Sequence, residues 1–394
     1  MNAPLAGLRV LDFGRYIAGP YCATLLADWG AEVIRIERIE GGEDRTLAPI
    51  STTGDGALYI GLNRNKRGLT LNPAHLQSQE IKRRLIARAD IVVANLPLEV
   101  LQRLELDYAS LSAVKPDIIL TMISAFGASG PYAQRVGFDA VVQALSGAMS
   151  LSGPPELPTR SLVPFEDFAT ALHAAFGTMI ALLERQRTGR GQIVEGSLLA
   201  TSLMLMQTLL SEHAVTGLER TRRGNAAFHS APSDAYQTSD GWLMVQVIGQ
   251  PIFARWAKLV GRPDLLDDPR CAADLARGDH YELINEAMNA WTRQRTTATA
   301  IQELEAARIP CGPVYSLAET LADPQVQARE LLNYLAYPGA PKPVPLPAPP
   351  VRLSETPGQI RYRAPTLGEH TDEILLGLDF TEAEIAAFRA AGVI

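Results

Sequence analysis

"LRVLDFGRYIAGPYCATLLADWGAEVIRIE", residues 8–37, decides the fold. "LRVLDFG" is an apolar, β-rich run that stops at Gly14. A helix follows from about Pro20 to Trp29, because proline suits a first turn in which no N–H is needed. "AEVIRIE" then supplies a second strand. "ADIVVANL" and "PDIILTMIS" read as two more, and "SQEIKRRLIARA" is amphipathic at helical spacing. Strands alternating with helices imply a parallel sheet covered by helices, an α/β domain of Rossmann-like type.

Beyond this region a helix is expected over Phe168–Arg187, with "TGRGQ" at 188–192 as its glycine stop. "IVEGSLLATSLMLMQTLL" reads as a short strand running into another helix. Composition then shifts, and short β-like runs separated by turn residues include an "SDG" hairpin signal at 239–241. "PGAPKPVPLPAPP" at 338–350 predicts a stiff, extended connector. Terminal helices follow, the last opening on a Thr381–Glu384 capping box. A chain of 394 residues exceeds the size of a single core. The expected domains are therefore 1–220, a smaller α+β unit at 225–330, and a return segment at 331–394 that completes the first.

With 47% hydrophobic and 20% charged residues, the composition is that of a globular enzyme. A net charge of −7 argues against nucleic acid as a partner. Cys22, Cys271 and Cys311 make neither a disulfide framework nor a metal-ligand spacing, which points to a reducing compartment. The N-terminus lacks a signal-like pattern, and "SLLATSLMLMQTLL" is too short and polar to span a bilayer. No membrane partner and a cytoplasmic location are the expectation.

Gly14 and Gly19 lack the Gly-x-Gly-x-x-Gly spacing of a dinucleotide fingerprint, although Glu37 ends the second strand where a ribose-binding acid could sit. "RIERIEGGEDRT" carries Arg35, Arg38 and Arg45, and "NRNKRG" at 63–68 is a second basic stretch. Each reads either as a solvated charged loop or as a phosphate ligand. The six histidines are scattered without a metal pattern, so no metal site is expected. In "VPFEDFATALHAAFG", residues 163–177, Asp167 precedes an apolar helix. There it could be an ordinary N-cap, or a carboxylate kept ionised by the helix dipole for nucleophilic attack. Glu166 beside it reads as a bystander.

"PLAGLRVLDFGRYIAGPYCATLLADWGAEVIRIER", "NRNKRGLTLN", "GFDAVVQALSGAMSLSG" and "TALHAAFGTMIALLERQRTGRGQIVEGSL" together resemble the family III CoA-transferases, the CaiB/BaiF family. "GRPDLLDDPR", "IPCGPVYSLAETLADPQVQAREL" and "LGEHTDEILLGL" extend the likeness over nearly the whole chain. The resemblance implies a Rossmann-like large domain built from both chain ends, a smaller middle domain, and two chains interlocked as a homodimer. It implies Asp167 as a nucleophile that passes CoA from an acyl-CoA thioester, succinyl-CoA being the common theme, to a carboxylic acid through aspartyl anhydride and aspartyl-CoA intermediates. Coenzyme A and its thioesters are then substrates, with no tightly bound cofactor.

Ile17, Ala18, Arg38, Leu71, Asn72, Asn95, Leu96, Arg103 and Arg135 match CoA-contacting positions of the family. Asp139 matches a position near the reacting end, with Gly249 and Gln250 as further pocket candidates. Two departures carry information. Phe138 stands where the related 2-methylacyl-CoA racemases have the histidine of an acid–base pair, which disfavours the racemase alternative. "VIGQP" at 247–251 replaces the glycine-run loop of formyl-CoA transferases. A non-catalytic acyl-CoA-binding protein is the alternative from outside enzymology.

Overall fold

The computed structural model describes residues 3–394. The opening strand–helix–strand forms as β1 (Arg9–Asp12), α1 (Ala18–Asp28) and β2 (Glu32–Glu37). Helix α1 starts two residues before Pro20, which its first turn tolerates because those N–H groups have no intrahelical partner. Next come α2 (Ala57–Leu62), β3 (Lys66–Thr70), α3 (Ser78–Ala87), β4 (Ile91–Ala94), α4 (Leu98–Arg103), α5 (Tyr108–Val114) and β5 (Ile119–Ser124). The run closes with α6 (Asp139–Leu145), α7 (Ala148–Leu151), α8 (Phe165–Thr188), β6 (Ile193–Ser197) and α9 (Leu198–Leu205). "NRNKRG" is thus no loop throughout: its last three residues open β3.

The six strands make one parallel sheet in the order β3-β2-β1-β4-β5-β6. The chain builds outward from β1 on one side, then crosses to build outward from β4 on the other. The carboxyl ends of β1 and β4 therefore flank the crevice where open α/β sheets place ligands. Successive residues of β1 serve opposite faces. Leu11 packs with Ile34, Leu69, Val92 and Leu120, and Val10 with Val33, Cys22, Ile91 and Ile119.

Helix α8 lies against the second face through small residues, Ala171, Ala174, Ala175, Thr178 and Ala181. Their size permits close approach, and Thr178 shares a hydroxyl contact of 2.6 Å with Thr121 of β5. The helix ends at Gly189, whose φ of 71° is the left-handed stop expected of "TGRGQ".

Two compact units divide the chain: residues 1–146, 161–207 and 325–394, and residues 147–160 with 208–324. Residues 147–160 and 208–220, read from sequence as part of the first domain, cluster with the second unit. That unit contains the antiparallel strands β7 (Ser233–Gln237), β8 (Trp242–Gln246) and β9 (Cys311–Pro313) around Tyr236, Phe253, Trp256 and Met288. The Thr238 N–H to Gly241 carbonyl bond of 2.9 Å closes the "SDG" hairpin.

The chain then returns to the first unit. Part of the proline-dense stretch is a strand, since β11 (Val344–Pro347) pairs antiparallel with β10 (Leu332–Leu335). The helices Thr371–Leu376 and Glu382–Ala390 follow, the latter with its Thr381–Glu384 capping box formed. Ile374, Leu375 and Ile394 join the core beside Leu69.

A pair of glycines tests this packing. A Cβ on Gly191 would stand 1.8 Å from the Ile118 carbonyl oxygen, with backbone that cannot yield. Gly191→Ala should cost roughly 2–4 kcal/mol of stability. Nothing lies within 4 Å of the corresponding position on Gly61 in α2, so Gly61→Ala should be neutral or slightly stabilising in the same denaturation experiment.

Candidate active site

The carboxyl end of β1, the later residues of β2 and the amino end of β3 carry buried charges. Asp12 is fully buried and its carboxylate accepts the Gly14 N–H and the Lys66 ammonium, each at 2.8 Å. Lys66 also donates to the Pro20 carbonyl at 2.7 Å and to Asn63 at 2.9 Å, which uses all three of its protons. Arg35 stands 3.6 Å from Asp12, donates to the Gly14 carbonyl and binds Asp44 at 2.9 Å. Arg45 grips both oxygens of Glu37 at 2.9 Å, Asp55 at 2.7 Å and the Tyr59 hydroxyl at 2.6 Å.

Burial works against ionising Asp12, but Lys66 and Arg35 outweigh it and hold the carboxyl below its ordinary range. Burial lowers Lys66 to about 8. The two open readings of these basic stretches thus resolve residue by residue. Arg35, Arg45, Arg64 and Lys66 are internal ion-pair partners, and Arg38 is the arginine that remains exposed. Glu37 holds Arg45. Gly14 and Gly19 pack on each other: a Cβ on Gly14 would meet the Gly19 carbonyl carbon at 2.9 Å.

Above this layer lies a cleft of about 500 Å³, lined by Phe13, Arg15, Arg38, Leu71, Asn72, Leu96 and Arg103 among others. Ile17, Ala18 and Asn95 are not on its wall. Ala18 is buried. Asn95 clamps the β1–α1 loop, accepting the Arg15 N–H at 2.6 Å and donating to the Arg15 carbonyl at 2.8 Å. Arg135 lies apart from the cleft, over the rings of Tyr132 and Phe126.

Asp167 is not the helix cap that its sequence position suggests. Helix α8 starts at Phe165 with Pro164 as N-cap, so Asp167 sits on the third helical residue. The free N–H groups of that first turn go to Asp139 at the start of α6. Its Oδ2 accepts from Glu166 N at 2.8 Å and from Asp167 N at 3.2 Å. Gln143 donates to the other oxygen of Asp139, while its own carbonyl accepts the Ser161 N–H at 2.8 Å.

The electrostatic outcome reverses the one expected of a cap. Burial first, then the neighbouring charges of Asp139 and Glu166, push the Asp167 carboxyl up to about 7. Glu166, read from sequence as a bystander, is buried, accepts the Ser202 hydroxyl at 2.7 Å on Oε1, and leaves Oε2 without a partner. The i,i+4 spacing of Asp139 and Gln143 was a usable helical signal. Nothing in the sequence links Glu166 to Ser202.

Phe138, 56% exposed, meets the Tyr16 ring edge-on at 5.7 Å, and Tyr21 meets Phe168 at 5.1 Å. Tyr16 holds a left-handed φ of 59°, a conformation that costs energy in a non-glycine residue and clusters at functional sites. The loop that lines the cleft through Arg15 thereby touches the start of α6, and α1, which follows it, touches the first turns of α8. In the second unit, the Gly249 N–H donates to both oxygens of Asp274 at 3.0 and 2.9 Å, and Gln250 accepts from Arg277 at 2.8 Å. Among the described residues no His, Cys, Asp and Glu cluster is arranged to hold a metal ion, and no helix is long and apolar enough to cross a membrane.

Comparison with known proteins gives a consistent result. Residues 5–371 match the model of CoA-transferase family III. The chain is 35% identical to a succinyl-CoA–D-citramalate CoA-transferase of Chloroflexus aurantiacus, covering 99% of this chain and 98% of that protein. It is 32% identical to a succinate–glutarate CoA-transferase of Agrobacterium fabrum, over 96% of each. A crystal structure of a CaiB/BaiF family protein from Brucella suis superposes with a TM-score of 0.85 at 33% identity, covering 96% of this chain and all of that one.

The buried charge layer makes a sharp prediction. Asp12→Asn leaves Lys66 and Arg35 without their shared counter-charge, so unfolding by denaturant should show a loss of roughly 3–5 kcal/mol. A loss under 1 kcal/mol would mean that the layer is not held together by this carboxylate.

Proposed function

The chain belongs to CoA-transferase family III, and on that premise we propose that it passes CoA from an acyl-CoA, succinyl-CoA foremost, to a carboxylic acid, with Asp167 as nucleophile. The observation that carries this reading is the carboxyl of Asp167 on the first turn of α8, its backbone fixed by Asp139 and its acidity weakened by its surroundings.

The Asp167 carboxylate attacks the thioester carbonyl, the C–S bond breaks, and CoA leaves as thiolate beside an acyl-aspartyl anhydride. The thiolate attacks the aspartyl carbonyl and expels the donor acid as carboxylate, which leaves aspartyl-CoA. The acceptor carboxylate displaces CoA to form a second anhydride. The thiolate then takes the acceptor's acyl group and frees Asp167. Every step exchanges one activated acyl group for another, so neither ATP nor an oxidant is consumed.

The weak acidity of Asp167 has a chemical use in this sequence. An anhydride is less activated the weaker the acid it is made from. Raising Asp167 toward the pKa of a thiol, about 8.5, therefore brings the anhydride closer in energy to the thioester. The cleft with Arg38, Leu71, Asn72, Leu96 and Arg103 is proposed to hold the nucleotide end of CoA, its arginines meeting phosphate. Gly249 and Gln250 are retained as pocket candidates. The proposed assembly is an interlocked homodimer, supported by the exposed stripe Leu172, Phe176, Ile180 and Leu183 along α8.

Two outcomes follow. Incubation with succinyl-CoA and trapping with hydroxylamine should give an aspartyl hydroxamate that mass spectrometry maps to Asp167. Asp167→Asn should lose the adduct and at least about a thousandfold of CoA exchange. An unimpaired variant overturns the assignment. Separately, only the ionised carboxylate attacks, so kcat/KM of the free enzyme should rise with pH to a plateau with its midpoint at about 7. A midpoint in the ordinary aspartate range near 4 would contradict the site described.

A further inference from the structure

We propose that Glu166 is a positioning residue of this site: its buried carboxylate, held by Ser202 of α9, adds to the basicity that burial and Asp139 already give Asp167 beside it. This rests on the assignment of Asp167 as nucleophile. The geometry singles out Glu166 in three ways. Its backbone N–H and that of Asp167 share one acceptor, Oδ2 of Asp139, so the two residues are fixed as a unit. Its side chain is 4% exposed and turned to α9, where Ser202 donates at 2.7 Å. Its second oxygen is buried with no partner.

A buried carboxylate with one bare oxygen is an expensive group to keep. A glutamine, or an apolar residue with Ser202 changed to match, would fill the same space without that cost. What the carboxylate adds is negative charge in a dry site next to the nucleophile. The groups facing it are few. Asp139 on α6 is a like charge and Ser202 on α9 donates its hydroxyl, while on its own helix Thr170 donates to the Glu166 backbone carbonyl at 2.6 Å. Burial and Asp139 make Glu166 hard to ionise, and the Ser202 bond opposes them. Ser202 therefore keeps the charge in place, and the charge makes Asp167 a stronger base.

The reaction gives this arrangement a consequence. Once Asp167 is acylated, as anhydride or as aspartyl-CoA, its charge is gone and the repulsion from Glu166 and Asp139 is relieved. The free carboxylate is the strained member of the cycle, which favours its acylation.

The test is the pH profile. Glu166→Gln keeps size and an acceptor for Ser202 but removes the charge. The acid limb of kcat/KM should move to lower pH by about half a unit to one unit, and plateau kcat should fall about threefold as the nucleophile becomes less basic. Ser202→Ala, which leaves Glu166 in place, should move the limb the same way by less, and serves if the glutamine variant does not fold. A limb that stays put in the folded variants overturns the proposal, whatever happens to KM or thermal stability. Hydroxylamine trapping separates the two readings. An adduct on Asp167 in wild type and variant, with an unmoved limb, removes only the role of Glu166. No adduct in wild type removes the nucleophile as well.

Discussion

The ammonium of Lys66 and the carboxylate of Asp12, 2.8 Å apart and wholly enclosed, fix the shape of everything above them. A buried charge is tolerated only where partners surround it, so each member dictates where a piece of backbone must lie. Lys66 pulls in the Pro20 carbonyl at the start of α1, and Arg35 pulls in the carbonyl of Gly14 and the Asp44 side chain. Arg45 extends the layer to Glu37, Asp55 and Tyr59. The returning chain closes on the same layer, through Tyr337 to Asp55 at 2.9 Å and the Pro365 carbonyl to Tyr59 at 3.1 Å. The cleft wall is therefore built on charges that are paired within the protein. This also explains why a parallel sheet edge so rich in Lys and Arg needs no solvent on its inner side.

The second constraint is the opposite in kind. Around the start of α8 three carboxylates meet, and the positive end of the helix supplies the N–H donors there. That terminus is spent on Asp139, because two backbone N–H groups converge on its Oδ2. Asp167 thus sits on the favourable end of a dipole and gains little from it. A carboxylate that solvent or a cation stabilised fully would be a poor nucleophile toward a thioester, whereas one that is merely held in position keeps its basicity.

Much of the fold was legible because the decisive elements carry periodicity. β1, β2, β4 and β5 are apolar runs of the right length, and α3 and α8 stop where glycine or polar residues say they should. β3 escaped notice because Lys66 and Arg67 open it, and a charged strand looks like a loop until its ion partners are known. β11 escaped because alternate prolines mask a strand whose Val344 and Leu346 point inward. The same physics limited the site. Arg35 and Arg38 sit in one sequence context, yet one is enclosed and the other exposed, a difference set by Asp12 and Asp44. Asp167 read as a cap because Asp-before-helix is the common pattern. The actual cap comes from 27 residues earlier in the chain, beyond the reach of any local rule.

Helix α8 joins these two constraints to a third. Its inner face is mostly alanine and threonine, with Leu182 near its end, small enough to press against the sheet, and most of its large residues lie on the outer face. Leu172, Phe176, Ile180 and Leu183 are each at least half exposed and lie at helical spacing on one side. Side chains of this size stabilise by about 1.5–3 kcal/mol each when fully buried, so a partner covering the stripe would gain a large share of the energy needed to associate. The same rigid rod carries Asp167 on its first turn. If a second copy covers the stripe, as the proposed dimer requires, association also fixes the axis along which the proposed nucleophile points. Assembly and reactivity then share one helix, with the small residues inside allowing both.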